Sequence, residues 1–428
     1  MLLGEFFVVV SNNLGRGDRV ARAFDPKGFR AHVGPVWFLG AATLSQTGMS
    51  FVQQGIVVLG VYFATRYHLT LAQMGLVTTA LSLGVMTAMV FMGATADRVG
   101  PRRLLFFGAV FMSALCSGLL VVSGFFPLLA LLFFLGMGLA IAPASGTKAV
   151  FTAFADRPRG MVMGIRQTGV PLGALLAASL LPRILQQAGF SAIFAVFAVE
   201  LLVVGWLFAF VMRPAPARRG MASGPSFEWR LLGQVWRPGL VAILLVSGQY
   251  LVLGFTLSDL HRVHHVTLAT AGLVLAAAQL GGGVGRVATG IVSDRMGGRR
   301  TPVIIACAVI GAVMAGVVAM LPQTVPVAVL GVIWFVFGMG AVGWNAMTMT
   351  WAGESVPAEH SGFAMSSVGT AAFLGSAIFP PLFGAFVDAT GHYSWGWGLL
   401  GGLLALAAVL TRLFAIQVRR QRAVRESG

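Results

Sequence analysis

Four charged side chains lie inside long apolar runs of this 428-residue chain, namely Lys148, Arg166, Glu200 and Arg286. A charge inside a membrane-length apolar segment is costly, so it usually has a function or a partner of opposite charge. Three of the four are cations, and the planar guanidinium of an arginine can hold a carboxylate through two parallel hydrogen bonds. The pattern indicates an electropositive pocket that would attract a small organic anion.

Each cation also has a purely structural interpretation. Arg286 precedes Asp294 by eight residues, and Lys148 precedes Asp156 by eight, which is about 12 Å along a helix. An arginine at that depth can extend its side chain to the membrane interface. Arg166 is shallower, and a gate or an ion pair suits it at least as well as a substrate contact. We keep all three as candidate substrate-binding residues beside this alternative.

Polar and aromatic side chains deep in the apolar runs are further candidate substrate contacts. For each of them alone, hydrogen bonding between helices is an equally good explanation. The candidates are Gln53, Gln249, Tyr250, Trp344 and Asn345, with Gln54 next to the first.

Two acidic residues are candidates for binding a coupling proton. Glu200 would have to be protonated or hydrogen-bonded, because an isolated carboxylate in hydrocarbon is costly. Asp259 precedes His261, His264 and His265, which titrate near neutral pH, although a solvated loop also explains this cluster. Since the chain shows no motif of a hydrolase, a redox centre or a metal site, we predict no metal, no cofactor and no enzymatic activity.

The elements that position these side chains must be membrane-spanning helices. The sequence is 57% hydrophobic and 10% charged, whereas soluble domains carry about 25% charged residues. Twelve apolar segments approach or exceed the roughly 20 residues that a helix needs to span a bilayer. They are 36–63, 71–95, 103–124, 128–154, 160–185, 191–212, 239–259, 270–293, 302–321, 326–352, 361–386 and 394–418.

A charged pattern, G-x-x-x-D-R-x-G-x-R-R, occurs at residues 93–103 and again at 290–300, an offset of 197 residues. The glycines at 136, 160, 173 and 189 each have a counterpart 202 residues later. A repeated interfacial turn predicts a duplicated membrane domain. The expected organisation is a leader (1–33), a six-helix bundle (34–212), a linker (213–238), a second bundle (239–418) and a tail (419–428).

The formal charge of +16 has an uneven distribution along the chain. Most of the lysines and arginines fall in the loops that become cytoplasmic if the amino terminus is inside the cell. This bias places both termini in the cytoplasm, and it explains the charge without nucleic-acid binding. We expect a multi-pass protein of a bacterial inner membrane, with its outer helix surfaces in contact with the lipid bilayer.

The sequence resembles the major facilitator superfamily from about residue 35 to residue 418, most specifically in the turn at 93–103 and its copy at 290–300. The resemblance implies an all-α membrane protein with twelve transmembrane helices, arranged as two pseudo-symmetric six-helix bundles around a central cavity. It also implies a secondary transporter for a small molecule, which works as a monomer and opens alternately to either side.

In that family, the aspartate of the turn caps the amino end of a helix in the opposite half, which places an anion on a helix dipole. Carried over, Asp97 would meet the eleventh span near Ser361, and Asp294 would meet the fifth span near Gly160. Alternatively these residues only set topology, which explains the arginines better than the aspartates. The candidate gating residues, whose arginines would pair with Asp156 and Glu354, are Gly93, Asp97, Arg98, Arg103, Asp156, Gly290, Asp294, Arg295, Arg300 and Glu354.

The segment Gly285-Arg286-x-x-x-Gly290-x-x-x-Asp294 resembles the eighth helix of monocarboxylate porters and of oxalate:formate-type antiporters. That resemblance implies that Arg286 binds the carboxylate of a substrate. The leading hypothesis is therefore a secondary transporter of small organic anions, with coupling to protons left open.

An alternative is efflux of drugs or metabolites. The segment Gly169-Val-Pro171-Leu-Gly173 loosely resembles the proline-glycine motif of drug:proton antiporters. The first span carries no acidic residue, which weakens the alternative because cationic drugs usually need one. A membrane sensor or a membrane enzyme ranks last.

Overall fold

The computed structural model describes residues 35–99, 101–141, 150, 154, 159–211, 229–357 and 360–427. In these ranges the chain is almost entirely helical and contains no strand. The first half contributes α1 (Pro35–Val58), α2 (Gly60–Tyr67), α3 (Leu71–Val99), α4 (Pro101–Gly118), α5 (Phe125–Leu139), α6 (Arg159–Gln167) and α7 (Gly169–Val211). The second half contributes α8 (Trp229–Arg262), α9 (Leu268–Arg295), α10 (Arg300–Ala319), α11 (Val327–Gly343), α12 (Asn345–Glu354), α13 (Ser361–Thr390) and α14 (Tyr393–Ser427).

Most of these helices are long and apolar enough to cross a membrane. Among the described residues eight helices meet that test, and the pair α1–α2, bent by 41°, makes a ninth. Helix α7 is broken at Gly189, whose φ of 76° suits a residue without a Cβ atom, so its two parts correspond to two predicted spans. Each of the twelve predicted spans is thus represented by a described helix.

The two halves pack their helices in the same way. Helix α1 lies along α7 as α8 lies along α13, α3 packs on α5 as α9 packs on α11, and α4 packs on α7 as α10 packs on α14. Between the halves, α3 packs on α13 and α9 packs on α7. This arrangement confirms the predicted fold class, an all-α membrane protein built from two pseudo-symmetric six-helix bundles.

Close approaches at glycines repeat with the offsets seen in the sequence. Gly84 lies against the carbonyl of Phe133, and 197 residues later Gly281 lies against the carbonyl of Phe335. Phe133 and Phe335 are themselves 202 residues apart. Any side chain at either glycine would push the two helices apart, so the repeated glycines fix how closely α3 approaches α5 and α9 approaches α11.

Helix α8 begins earlier than the predicted seventh span, at Trp229 instead of residue 239. Its first turns bury Leu231 and Val235, and Trp236 packs edge-on against Phe414 of α14. This packing offsets the roughly 3 kcal/mol that a proline such as Pro238 costs inside a helix. The last ten residues of the expected linker are therefore helical.

The bundle has two ends. We call one the charged end, which carries the turn at residues 296–299, between α9 and α10. The far end carries the turn at residues 68–70, between α2 and α3.

Candidate functional site

Arg286 lies at the seam between the two halves, with only 1% of its surface exposed. Its Nε donates to the carbonyl of Val342 at 3.1 Å, and its Nη2 donates to Oε1 of Gln249 at 3.1 Å. Its Nη1 donates to the carbonyl of Gln167 at 2.7 Å, and Gln167 belongs to the first half of the chain. The guanidinium therefore links α9 to α8 and α11 in its own half and to α6 in the other.

Both backbone acceptors of Arg286 lie next to breaks in helices. Pro171 has no N–H group, so the carbonyl of Gln167, four residues earlier, lacks its usual helical donor. Val342 precedes the interruption at Trp344 that separates α11 from α12. Arg286 satisfies these buried carbonyls, which would otherwise carry the cost of unpaired polar groups.

Arg166 is a second buried cation, 2% exposed, near the end of α6. Its Nη2 donates to Oε1 of Gln46 in α1 at 3.0 Å, and Nε2 of Gln46 donates to the hydroxyl of Ser50 at 3.1 Å. The Nε atom of Arg166 is buried and has no hydrogen-bond partner in the part of the chain that the structure describes. One donor of this guanidinium is therefore available to another acceptor.

Tyr250 borders the same seam from α8, one residue after Gln249. Nε2 of Gln53 in α1 approaches the Tyr250 hydroxyl at 3.5 Å, a long contact that joins the two halves. Gln54 and Ser376 also lie beside this hydroxyl. The structure thus brings the predicted contacts Gln53, Gln249 and Tyr250 together with Arg286 along the seam.

Two other predicted contacts are placed differently. Trp344 is fully buried at the break between α11 and α12, and its indole N–H donates to the carbonyl of Ala341 at 3.0 Å. Asn345 is half-buried at the first position of α12. Lys148 lies outside the described residues, so its role in substrate binding stays a prediction.

The two candidate proton sites are separate from this seam. Asp259, near the end of α8, is buried, and its Oδ2 accepts a hydrogen bond from Nε1 of Trp397 at 3.1 Å. Glu200 lies in the second part of α7, where both of its carboxyl oxygens are buried without a partner among the described residues. The two acids thus have different surroundings, since Asp259 has a hydrogen-bond donor and Glu200 has no partner among the described residues.

At the charged end, Arg300 joins two of the predicted gating acids. Its Nη1 contacts Oδ1 of Asp294 at 2.8 Å, and its Nη2 contacts Oε1 of Glu354 at 3.0 Å. All three residues belong to the second half. Of the other gating candidates, Gly290 is buried, whereas Arg103 and Arg295 are exposed.

The remaining gating candidates fall where the structure gives no side-chain description. Asp156 lies outside the described residues. The structure describes the helices that contain Gly93, Asp97, Arg98 and Gly160 but not the surroundings of these four residues. The expected contacts of Asp97 and Asp294 with the opposite half therefore stay predictions.

The far end contains a contact between the halves that the sequence analysis missed. Asp388, near the end of α13, accepts hydrogen bonds from the backbone N–H groups of Leu71 at 3.2 Å and Ala72 at 3.0 Å. Thr70 and Gln73 cap the same helix reciprocally, each side chain accepting from the other's backbone N–H group. Asp388 thus places a negative charge on the amino end of α3 from the opposite half. The internal repeat does not reveal this contact, because the counterpart of Asp388 is Gln186.

Glycines and prolines close the same end tightly. Gly75 lies against the backbone of Pro380 and Pro381, and Gly384 lies against the backbone of Leu71. The contact of Gly75 with Pro380 has an equivalent in the repeat, in which Gly272 lies against the carbonyl of Ala178. With the halves in contact at these backbones, the far end is closed in this structure.

Replacing Asp388 with alanine is expected to make the far end open about two to five times more often. The change removes an anion from a helix amino end, and because Asp388 is exposed the anion is worth about 0.3–1 kcal/mol there. A cysteine at Ser376, whose hydroxyl pairs with Ser82 across the halves, would report opening through its reaction rate with a bulky thiol reagent in detergent. Cys116 and Cys307 would be replaced by alanine first. Equal rates in Asp388→Ala and the parent would contradict the role of Asp388, and Gln186→Ala serves as the matched control.

Known proteins resemble this chain along most of its length. The family model for the Major Facilitator Superfamily matches residues 39–380. An uncharacterized MFS-type transporter of Mycobacterium tuberculosis is 29% identical over 393 residues, covering 90% of this chain and 85% of its own length. A hexuronate transporter of Bacillus subtilis is 25% identical, and the match covers 80% of this chain and 85% of the relative. A protein named "probable sulfoacetate transporter" from Cupriavidus necator is 24% identical, and the match covers 80% of this chain and 84% of the relative.

Solved structures share the fold at low sequence identity. The nucleoside transporter NupG superposes with a TM-score of 0.70 at 13% identity, covering 88% of this chain and 99% of its own. A bacterial homologue of the human lysosomal transporter Spinster, described as inward-facing and unoccupied, gives a TM-score of 0.63 at 15% identity. It covers 89% of this chain and 95% of its own. These likenesses concern the arrangement of the helices.

Proposed function

This chain belongs to the major facilitator superfamily of membrane transporters, and from that premise we propose that its cargo is a small organic anion carrying a carboxylate. Transport by members of this fold proceeds by rocking of the two halves about a site between them. The residues at the seam determine what that site can hold.

The observation that carries the proposal is the pair of buried guanidinium groups of Arg166 and Arg286. No carboxylate of the described residues pairs with either one, since their partners are glutamine side chains and backbone carbonyls. A buried cation with only neutral partners strongly favours an incoming anion, because desolvation has already been paid for in the folded protein. The unpartnered Nε of Arg166 adds a donor for the same purpose.

Binding at Arg286 would be linked to movement of the halves. Arg286 has five N–H groups, and three of them donate to protein acceptors here. We propose that a carboxylate in the fork of Nη1 and Nη2 displaces the carbonyl of Gln167 or the side chain of Gln249. Gln167 lies in the first half and Arg286 in the second. Loss of this hydrogen bond on binding would weaken one contact between the halves, and in this way the ligand would favour one conformation over the other.

Two of the relatives support an anionic cargo by name. Hexuronate carries a carboxylate, and sulfoacetate carries a carboxylate and a sulfonate. The efflux alternative receives no comparable support. Gly169 and Gly173 of the proline-glycine segment lie against the carbonyls of Thr43 and Thr47 in α1, so helix packing accounts for them.

The charge bias of the loops supports an orientation as well. With the arginine-rich loops in the cytoplasm of a bacterium, the charged end faces inward and both termini are cytoplasmic. The far end then faces outward, and the conformation described above is closed to the outside.

The cargo class can be tested with purified protein in liposomes. We expect labelled hexuronate or sulfoacetate to exchange across the membrane, while a neutral hexose of the same ring size does not. The physical reason is that a carboxylate forms stronger, charge-assisted hydrogen bonds to the Arg286 guanidinium than the neutral hydroxyl groups of a hexose do. Exchange of the hexose as fast as the hexuronate, or of neither anion while a cationic drug is moved, would overturn the anion proposal.

A further inference from the structure

The carboxyl group of Glu200 lies between helices of the first half. It projects from the part of α7 beyond Gly189, which packs against α1 and α4. Both carboxyl oxygens are buried, and neither has a partner in the described ranges of the chain. Glu200 is therefore a buried acid whose hydrogen-bonding capacity is not satisfied by the described residues.

The groups that face this carboxyl are all uncharged at neutral pH. From α1, Gly48 makes room for it, since a methyl group at that position would overlap Oε1 of Glu200. From α4, the thiol of the buried Cys116 lies close enough to interact electrostatically. On α7 itself, Val204 flanks the same glycine.

No cation in the packed helices is placed to neutralise Glu200. Helix α1 contains no charged residue, and the charges of α4 are Arg102 and Arg103 in its first turn. Arg102 lies over the ring of Phe210, ten residues beyond Glu200 and therefore about 15 Å further along α7. An ionised carboxylate here would be both desolvated and unpaired.

Under these conditions the neutral acid is the favourable form. Removing an ionised carboxylate from water without a compensating partner costs far more than removing a carboxylic acid. Asp259 differs, because the indole of Trp397 donates a hydrogen bond to it. Within the described part of the chain, Glu200 thus lacks the hydrogen bond that helps Asp259 to carry a negative charge.

We propose that Glu200 is a proton-binding site, occupied in the closed conformation and emptied when the halves separate. Proton binding is a simple transfer from water to one carboxyl oxygen, and it involves no oxidation or reduction. Helix α1 connects the site to the seam, since Gly48 lies two residues after Gln46, which accepts a hydrogen bond from Arg166. A shift of α1 during opening would let water reach Glu200 and release the proton. This inference does not depend on which cargo is moved.

Infrared spectroscopy of the purified full-length protein tests whether the proton is present. At neutral pH, the parent is expected to show a carboxylic-acid C=O band that is absent from Glu200→Gln. Glu354→Gln, which removes an exposed, ion-paired acid, is expected to leave the band unchanged. A parent spectrum identical to that of Glu200→Gln in this region would overturn the proposal.

A second variant pair guards against misfolding of Glu200→Gln. Gly48→Ala crowds the carboxyl and is expected to shift the band, whereas Gly40→Ala on the same helix meets nothing within 4 Å and should not. Equal spectra for these two variants would count against the site.

The link to opening is tested by measuring the thiol-labelling rate of Ser376→Cys at several pH values. The protein also carries Cys116→Ala and Cys307→Ala, so that the reporter is its one thiol. If closing requires a proton on Glu200, the fraction of open protein rises with pH, by at most about tenfold per unit for one proton. The labelling rate also rises with pH because the thiolate is the reactive form of the reporter. Dividing each rate by the rate of the Glu200→Gln variant at the same pH removes this contribution. A ratio that stays constant across pH would overturn the proposal.

Discussion

Replacing Arg286 with alanine is expected to lower transport of an anionic cargo roughly 100-fold at subsaturating concentration. A hydrogen bond to a charged group contributes about 1.5–3 kcal/mol, and a loss of about 2.8 kcal/mol corresponds to 100-fold. The variant also leaves the carbonyls of Gln167 and Val342 without their donor. Initial exchange rates in liposomes at equal protein content would measure the effect.

Two further variants separate the chemistry of Arg286 from its bulk. Arg286→Lys keeps the charge but not the planar fork, so we expect an intermediate rate, about tenfold below the parent. Met89→Ala alters the repeat-related position in α3 and should transport at close to the parental rate. An unchanged rate in Arg286→Ala would contradict the assignment of this residue to the cargo.

Gly338→Ala is expected to lower the free energy of unfolding by about 1–3 kcal/mol. A methyl group at Gly338 would overlap the carbonyl oxygen of Ala278, and because this neighbour is backbone, α9 and α11 would have to separate. The midpoint of thermal unfolding in detergent, together with the yield of monodisperse protein, would report the loss.

The same helix provides the control for this substitution. A methyl group added at Gly331 of α11 would meet nothing within 4 Å, so Gly331→Ala should be neutral or slightly stabilising. Gly136→Ala should repeat the destabilisation in the first half, since its methyl group would overlap the carbonyl of Leu81. Equal unfolding midpoints for Gly338→Ala and Gly331→Ala would show that close helix contact is not required there.

Much of the fold followed from local features of the sequence. The apolar runs gave the spans because a helix in lipid must be apolar over a fixed length. The charged turns at 93–103 and 290–300 identified the repeat, and the paired Gly136 and Gly338 marked equivalent close contacts between helices. These features depend on residues near one another in the chain or on a fixed offset.

The partners of the buried charges could not be predicted in this way. An ion pair was one of the interpretations open for Arg166, yet its acceptor among the described residues is Gln46, which lies 120 residues away and carries no distinctive pattern. The acceptors of Arg286 include backbone carbonyls, which a sequence does not display, although Pro171 does signal an unpaired carbonyl at Gln167. The contact of Asp388 with α3 spans more than 300 residues and has no repeat-related counterpart.

A structure of the protein with a bound hexuronate or sulfoacetate would test the central claim most directly. We predict carboxylate oxygens within hydrogen-bonding distance of the Arg286 guanidinium, with Gln249 or the carbonyl of Gln167 displaced from it. An anion bound elsewhere, while Arg286 keeps all three of its present acceptors, would contradict the account.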